Sequence, residues 1–109
     1  MKVAYIAGPY RGKNHYEVEQ NIRAAEAIAI KYWQLGYAVI CPHKNTAHFD
    51  GLAPDEVWLK GDLEILKRCD LIVMVPGWER SIGARTEKEL AEDLGIFITY
   101  ADDRALGGK

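Results

Sequence analysis

Two acidic residues stand at positions that an amphipathic helix normally keeps apolar. Asp62 lies four residues from both Trp58 and Leu66, and Glu87 precedes apolar residues by three, four and seven positions. An unpaired carboxylate that faces a protein core is costly, so each of these residues needs a partner or a function. Paired carboxylates are the usual equipment for cleaving a glycosidic bond: one attacks or stabilises the anomeric carbon, and the other manages protons.

Both carboxylates also have a structural interpretation. Asp62 could cap a neighbouring loop, and Glu87, in or just after the first turn of its helix, could simply stabilise that helix. The helix dipole and nearby amides would also favour the ionised form that a nucleophile requires. In a purely structural dimeric scaffold, the two carboxylates would pair with Arg23, Arg80 or Arg85.

Two glycine-containing loops could bind an anion. Residues 8–13 place two glycines, Arg11 and Lys13 ahead of a predicted helix, which suits a phosphate or sugar cradle, and a plain turn with solvated basic residues is the alternative. Ser81 and Gly83 begin a later helix and could bind phosphate, but Ser81 could equally be the helix N-cap. The first loop lacks the G-x-G-x-x-G dinucleotide fingerprint.

Aromatic and histidine side chains lie in or next to these loops. Trp78 could stack on a base or cover the end of the sheet. His43 or His48 could contact a ligand or remain solvated in a loop. Asp50 nearby invites a metal interpretation, but no third strong ligand is evident, so we predict no metal and no cofactor.

Alternating strands and helices must position these residues. Apolar runs predict strands at residues 3–7, 37–41, 71–75 and 96–100. Helical spacing predicts three helices, which extend from the Asn14 cap to Gly36, from Pro54 to about Arg68 and from Gly83 to Leu94. We expect residues 43–53 to form a polar loop and the tail with Asp102, Asp103, Gly107 and Gly108 to be frayed.

This order of elements predicts an α/β fold, a small Rossmann-like (flavodoxin-like) three-layer sandwich with about four parallel strands. Ligands of such sheets bind beyond the carboxyl ends of the strands, at the point where the strand order reverses. The rule brings together three loops, at residues 8–13, 42–53 and 76–83.

Length and composition predict a single domain over residues 1–109. The net charge is −2 with both signs interspersed, so we expect no nucleic-acid polymer as a partner. The longest apolar runs have the length of a strand, which argues against a transmembrane helix. Cys41 and Cys69 form no Cys-x-x-Cys motif, and we expect free thiols in a reducing, cytoplasmic compartment.

Four short motifs, in order across nearly the whole chain, resemble those of the nucleoside 2-deoxyribosyltransferase superfamily. Within it, the chain is most similar to the 2′-deoxynucleoside 5′-monophosphate N-glycosidases, and it also resembles an uncharacterised group of small bacterial and phage proteins near that superfamily. The motifs are Tyr5-x-x-Gly8-x-x-Arg11-Gly12, Asp62-Leu63, Cys69-Asp70-Leu71-Ile72-Val73 and Ser81-x-Gly83-x-x-x-Glu87.

The resemblance implies a role for each matching residue. Glu87 would be the nucleophile that forms a deoxyribosyl-enzyme ester, Asp62 the acid that assists the leaving base, and Tyr5 the residue that orients the nucleophile. Arg11 and Ser81 would lie near the nucleotide phosphate. The full set of expected substrate-binding residues is Gly8, Pro9, Tyr10, Arg11, Ser81 and Gly83, with His43 and Trp78 as further candidates.

The chain also departs from the pattern that it resembles. Pro9 occupies a place where the glycosidases prefer a small hydroxyl residue, and no C-terminal serine of the kind that they take from a partner subunit follows Tyr100. Ser81 stands where the nucleoside transferases place an acid, which favours the nucleotide branch. The resemblance further implies a homodimer or a higher homo-oligomer.

The function expected from these features is cleavage of the base–deoxyribose bond of a deoxynucleoside 5′-monophosphate through a covalent glutamate intermediate. The alternative is a non-catalytic module that binds a nucleotide or a nucleotide-derived signal. In both cases the expected partner is a small-molecule nucleotide, with no membrane involved.

Overall fold

The computed structural model describes residues 1–101. Two predictions concern the remaining residues and lie outside that range: the frayed tail around Asp102, Asp103, Gly107 and Gly108, and the missing serine in the part of the chain beyond Ala101. The elements are β1 (Val3–Ala7), α1 (His15–Gln34), β2 (Ala38–Ile40), α2 (Pro42–Asn45), α3 (Asp55–Leu66), β3 (Leu71–Met74), a 3-10 turn (Trp78–Arg80), α4 (Ile82–Leu94) and β4 (Phe97–Tyr100).

The four strands form one parallel sheet in the order β2-β1-β3-β4. Tyr5 lies at the centre of this sheet, in register with Ile40 on one side and Ile72 on the other. The chain leaves β1 toward one edge of the sheet and leaves β3 toward the other. The strand order therefore reverses between β1 and β3, where parallel sheets open a crevice at the carboxyl ends of their strands.

Helices cover both faces of the sheet, because alternate residues of each central strand are apolar on both sides. On one face, Ala25 and Ile28 of α1 pack with Ala4 and Ile6 of β1. On the other, residues of α3 and α4 pack with Tyr5 and neighbouring strand residues. The predicted α/β fold with a parallel four-stranded sheet between helices is thus confirmed. No helix within residues 1–101 is long and apolar enough to cross a membrane.

Capping residues set the bounds of α1 much as predicted. The Asn14 side chain accepts a hydrogen bond from the backbone N–H of Glu17 at 2.9 Å. The Glu17 carboxylate reaches back to the N–H of Lys13 at 2.7 Å, one residue earlier than in a standard capping box. Gly36, with φ +98°, follows the helix in a left-handed conformation that glycine adopts without a steric penalty.

Two expectations about local structure are wrong. The polar loop predicted over residues 43–53 begins with the short helix α2, because Pro42 suits a first helical turn, and His43 is buried there. Leu94, seven positions after Glu87, is half exposed although the helical pattern placed it on the inner face. It is the last residue of α4, directly before the left-handed Gly95 that ends the helix.

Candidate active-site cleft

A cleft of about 830 Å³ lies at the carboxyl ends of β1 and β3. Its walls come from the loop after β1, from α2 and the residues that follow it, from α3, and from the start of α4. The volume is within the range of small-molecule sites. All three loops that the fold rule brought together contribute to its lining.

Glu87 and Tyr5 form a buried hydrogen-bonded pair at this cleft. Glu87, in the second turn of α4, lines the cleft and is only 7% exposed, which confirms that it faces inward. The Tyr5 hydroxyl, fully buried on β1, donates to Glu87 Oε2. Burial and the neighbouring charges of Glu87 and Asp62 hold the pKa of Tyr5 well above its usual value, so the phenol remains a donor at neutral pH.

The protonation of Glu87 differs from the sequence prediction. Burial raises the pKa of Glu87 to about 8; the hydrogen bond from Tyr5 opposes that increase, and the charge of Asp62 adds to it. The prediction that the helix dipole keeps this carboxyl ionised is wrong. The dipole acts mainly on the first turn of a helix, and Glu87, the sixth residue of α4, lies beyond that turn. Removal from water is therefore the largest influence on the pKa of Glu87.

Asp62 is the second carboxylate of the cleft, on the inner side of α3. Within residues 1–101 it has no hydrogen-bond or ion-pair partner, and burial raises its pKa to about 6. Its charge nevertheless acts on Glu87 and Tyr5, which places the three groups in one electrostatic cluster. In the part of the chain that the structure describes, Asp62 therefore caps no neighbouring loop.

The arginines proposed as structural partners do not pair with either carboxylate in the described range. Arg23 contacts Glu19 at 3.3 Å on the surface of α1. Arg80 and Arg85 are exposed and form no ion pair among residues 1–101, although Arg80 lines the cleft. Within a single chain, residues 1–101 therefore contain no ion pair between these arginines and Asp62 or Glu87.

All six predicted substrate-binding residues line the same cleft. They are Gly8, Pro9, Tyr10, Arg11, Ser81 and Gly83. Gly8 allows close packing beneath it, since a Cβ at this position would come within 2.5 Å of the Val75 Cβ. The Ser81 side chain accepts a hydrogen bond from the backbone N–H of Ala84 at 3.1 Å, so Ser81 is the N-cap of α4 while its hydroxyl hydrogen remains available to a ligand.

Arg11 is held by a partner on the opposite wall of the cleft. Its guanidinium forms an exposed ion pair with Asp55 at the start of α3. Next to it, the Tyr10 hydroxyl donates to Asp50 at 3.0 Å and accepts from the backbone N–H of His48 at 3.0 Å. The loop after β1 is thus tied to the segment that precedes α3. A phosphate that binds Arg11 competes with Asp55 for it.

His43 lines the cleft as a neutral, buried side chain. Its Nε2 donates to the Pro9 carbonyl at 2.8 Å, and burial lowers its pKa, so the ring stays uncharged at neutral pH. Its Nδ1 is buried and has no partner among the described residues. The solvated-loop interpretation is therefore wrong for His43. It is correct for His48, which is exposed and lies 3.3 Å from Glu19 outside the cleft lining.

Trp78 does not line the cleft. Its ring packs against Tyr100, with centroids 5.9 Å apart, and Lys88 Nζ lies 5.4 Å above it. This position corresponds to covering the end of the sheet, the second of the two predicted uses of Trp78. No group of three or more His, Cys, Asp or Glu side chains within residues 1–101 is arranged to hold a metal ion.

Sequence reasoning missed three residues of the cleft wall as functional candidates. Trp58 was assigned to the core stripe of α3, and Asp55 and Arg80 were not placed in the site. The signal for Trp58 was present in the sequence, because a residue four positions before Asp62 shares its helix face. The Arg11–Asp55 contact joins residues 44 positions apart, which no local pattern reports.

The fold and the cleft define a class: a small parallel α/β protein with two protonatable carboxyl groups at the point where its strand order reverses. Residues 1–100 match the family model described as a domain of unknown function, DUF4406, and the chain belongs to that family. A search of curated proteins found no match.

Proposed function

We propose that this protein cleaves the bond between base and deoxyribose in a deoxynucleoside 5′-monophosphate, as the resemblance to the nucleotide N-glycosidases implies. The observation that carries the proposal is the buried carboxyl of Glu87, oriented by the Tyr5 hydroxyl and sharing a cleft with the unpaired carboxyl of Asp62. Two carboxyl groups on one open cleft are the minimum equipment for displacement at an anomeric carbon.

In the proposed reaction, a Glu87 carboxylate oxygen bonds to the anomeric carbon as the carbon–nitrogen bond breaks. The electron pair of that bond goes to the base, which also receives the proton of Asp62. Water then attacks the same carbon, gives a proton to Asp62 and releases Glu87 as a carboxylate. A second base in place of water would give transfer instead of hydrolysis. Tyr5 keeps the Glu87 carboxyl in a single orientation throughout.

The lining of the cleft supports a substrate with a phosphate group. Arg11 and Arg80 supply positive charge to the lining, and the start of α4 supplies Ser81 and backbone N–H groups. Neither arginine is buried, so both can follow a mobile phosphate. Because Arg11 already binds Asp55, Arg80 is the cation in the described cleft lining that a phosphate can bind without breaking an existing ion pair.

The test is to incubate the protein with each of the four deoxynucleoside 5′-monophosphates and to detect free base by chromatography. Release is expected from at least one of them, and Glu87→Gln should abolish it. Glu89→Gln, on an exposed glutamate of the same helix, is the matched control and should keep full activity. Acid-quenched protein should carry a deoxyribose-phosphate adduct on the peptide that contains Glu87. No release with any substrate, or unchanged release by Glu87→Gln, rejects the proposal.

The alternative function is a module that binds a nucleotide without turnover. The same cleft could bind the nucleotide in this case, because the presence of buried carboxyl groups does not by itself imply a reaction. A ligand that binds only the folded state stabilises it, by about 2.7 kcal/mol at a concentration one hundred times the dissociation constant. A rise in melting temperature with a nucleotide that stays intact would favour the module over the enzyme.

We also propose that the chain forms homodimers in a reducing, cytoplasmic compartment. Exposed apolar side chains support the first part: Trp33 and Ile30 on α1, and Phe97 and Tyr100 on the edge strand β4. Trp58, by contrast, lines the cleft. Sedimentation of the purified protein tests the dimer. The free thiols of Cys41 and Cys69 accord with a reducing compartment.

A further inference from the structure

The backbone of the loop after β1 is held from behind by the side chain of Asn21. Its Nδ2 donates to the carbonyl oxygens of Tyr10 and Arg11, each at 3.1 Å, so one amide group binds two consecutive peptide groups. Tyr10 and Arg11 line the cleft, whereas no residue of α1, which the structure describes in full, does so. As seen from the cleft, Asn21 and α1 therefore lie behind this loop.

Peptide geometry determines where the N–H groups of the loop point. In a trans peptide, the C=O of one residue and the N–H of the next point in opposite directions, and residues 1–101 contain no cis peptide bond. Because the carbonyls of Tyr10 and Arg11 point toward α1, the N–H groups of Arg11 and Gly12 point away from it. Neither N–H has an acceptor among the residues that the structure describes. Two adjacent free N–H groups of this kind can bind an anionic oxygen.

Further contacts hold the same loop in place. His43 binds the carbonyl of Pro9 and Asn21 binds the next two, so side chains bind three consecutive carbonyls of the loop. Gly12 lies so close to the first turn of α1 that a Cβ in its place would be 2.5 Å from the Cβ of Glu17. A loop that is held at this many points loses little conformational freedom when a ligand binds, so its affinity for that ligand is higher.

Arg80 approaches the same loop from the 3-10 turn before α4. A Cβ added to Gly77 would lie 2.9 Å from Arg80 Nη2 and 3.4 Å from Pro9 Cγ, so the guanidinium and the Pro9 ring both lie beside Gly77. Arg80 lines the cleft and has no ion-pair partner within residues 1–101. An unpaired cation near a loop with two free N–H groups suits the phosphate of a nucleotide better than its base.

We propose that Asn21 is a positioning residue of the phosphate subsite: it fixes the backbone of residues 10–12 so that the N–H groups of Arg11 and Gly12 donate to the substrate's phosphate. This inference rests on the proposed function and specifies its phosphate subsite. Asn21 does not itself touch the substrate, because it acts through the peptide groups that it binds. It therefore contributes to substrate affinity and not to the chemical step at Glu87.

The experiment compares Asn21→Leu with the parent chain in a Glu87→Gln background, where no base is released. Leucine resembles asparagine in size and shape but cannot donate a hydrogen bond. Calorimetry measures the affinity for deoxynucleoside 5′-monophosphates, for deoxyribose 5-phosphate, which lacks a base, and for deoxynucleosides, which lack a phosphate. Loss of the preorganised loop predicts about two- to tenfold weaker binding of the two phosphate-bearing ligands and unchanged binding of deoxynucleosides.

Asn45→Leu is the matched control for this substitution. Asn45 is an exposed asparagine at the end of α2, outside the cleft lining, and its replacement should change none of the three affinities. Equal weakening of all three ligands by Asn21→Leu overturns the inference, because a phosphate subsite cannot affect a ligand that has no phosphate.

Steady-state kinetics separate positioning from a general loss of structure. With Glu87 intact, Asn21→Leu should raise the KM for a deoxynucleoside 5′-monophosphate and leave kcat unchanged, because the interaction that is lost contributes equally to the bound substrate and to the transition state. A lower kcat with an unchanged KM contradicts a role in phosphate binding.

A measurement on the parent chain does not depend on the folding of the Asn21 variant. In a proton–nitrogen correlation spectrum, the backbone amide resonances of Arg11 and Gly12 should move downfield when deoxyribose 5-phosphate is added, because both N–H groups gain a charged acceptor. Binding of this ligand without a shift of either resonance overturns the inference.

Failure of the inference can be distinguished from failure of the proposed function. If neither the nucleotides nor deoxyribose 5-phosphate bind the parent chain, both fall. If nucleotides bind or are cleaved while Asn21→Leu keeps the affinity of the parent chain for them, only the inference falls.

Discussion

Replacing Glu87 by glutamine should stabilise this protein in a pH-dependent way. Burial raises the pKa of Glu87 from its ordinary value of 4.5 to about 8, so folding must hold a carboxylate out of water at alkaline pH. Below about pH 4.5 the group is protonated in the folded and in the unfolded chain, and it causes no loss of stability. Between pH 4.5 and pH 8 the folded chain binds more protons than the unfolded chain, so stability falls as the pH rises.

The magnitude follows from the two pKa values. Each pKa unit corresponds to about 1.4 kcal/mol, so the whole pKa difference of Glu87 is worth on the order of 5 kcal/mol, with about 3 to 4 kcal/mol of it lost between pH 5 and pH 8. This is a large part of the roughly 5–15 kcal/mol by which domains are stable. Glutamine has nearly the same shape, can still accept a hydrogen bond from Tyr5, and has no charge to bury.

The assay is urea unfolding of the parent chain and of Glu87→Gln at pH 5, 6.5 and 8. We expect the two to lie within about 1 kcal/mol of each other at pH 5 and the variant to be about 3 kcal/mol or more stable at pH 8. Glu89→Gln, the exposed control on α4, should show a difference that does not vary with pH. Equal stability of Glu87→Gln and the parent chain at pH 8 would refute the conclusion that Glu87 is buried as a costly charge.

Three further substitutions test individual contacts of the site. Tyr5→Phe removes a donor that lowers the pKa of Glu87, so that pKa should rise further, by about one to two units, in a carboxyl NMR titration; an unchanged value would show that the bond is unimportant. Asp62→Asn removes a charge that raises the pKa of Glu87, which should therefore fall in the same titration; a rise would contradict the arrangement. If base release occurs, the residual activity of Asp62→Asn should increase with pH as Glu87 ionises, and a decrease would oppose Glu87 as the nucleophile. Ser81→Ala removes the cap of the Ala84 N–H and should cost about 1 kcal/mol in urea unfolding, whereas Ser81→Thr should retain most of that stability.

The sequence allowed the fold and the location of the cleft to be predicted, because both follow from patterns repeated along the chain. The continuous apolar run of β3 and the Gly and Pro residues that flank the strands predict a buried parallel sheet, and the sheet then determines where loops meet. Glu87 and Asp62 stood out for a similar reason: each breaks a helical pattern that is otherwise regular. In the structure both side chains line the same cleft.

The contacts that give those residues their chemistry could not be predicted in the same way. The pKa of Glu87 depends on how completely α4 is covered by the sheet, and on the approach of Asp62 from another helix, neither of which is a property of local sequence. His43 is buried because α2 folds against the loop after β1, where the carbonyl of Pro9 accepts its Nε2–H. Periodicity assigned Trp58 correctly to an inner face but does not distinguish a core from a cleft.

The two carboxyl groups ionise in the order opposite to the one that their proposed roles need. Attack requires the Glu87 carboxylate and departure of the base requires protonated Asp62, yet Glu87 has the higher pKa, about 8 against about 6. At neutral pH the proton that the two carboxyl groups hold between them therefore lies mainly on Glu87, whereas the proposed roles place it on Asp62.

The reverse assignment, with Glu87 as the acid, would use the major form, but it does not explain why the Tyr5 hydroxyl donates to Glu87. A donor that is itself unable to ionise at neutral pH stabilises a carboxylate in preference to a carboxylic acid, so Tyr5 supports the charged form even though burial opposes it. A substrate whose anomeric carbon becomes positive as the base departs adds the missing stabilisation in the transition state. On the proposed function, the ionised form of Glu87 is therefore costly in the free protein and becomes favourable as the bond breaks, an arrangement that suits catalysis better than passive binding.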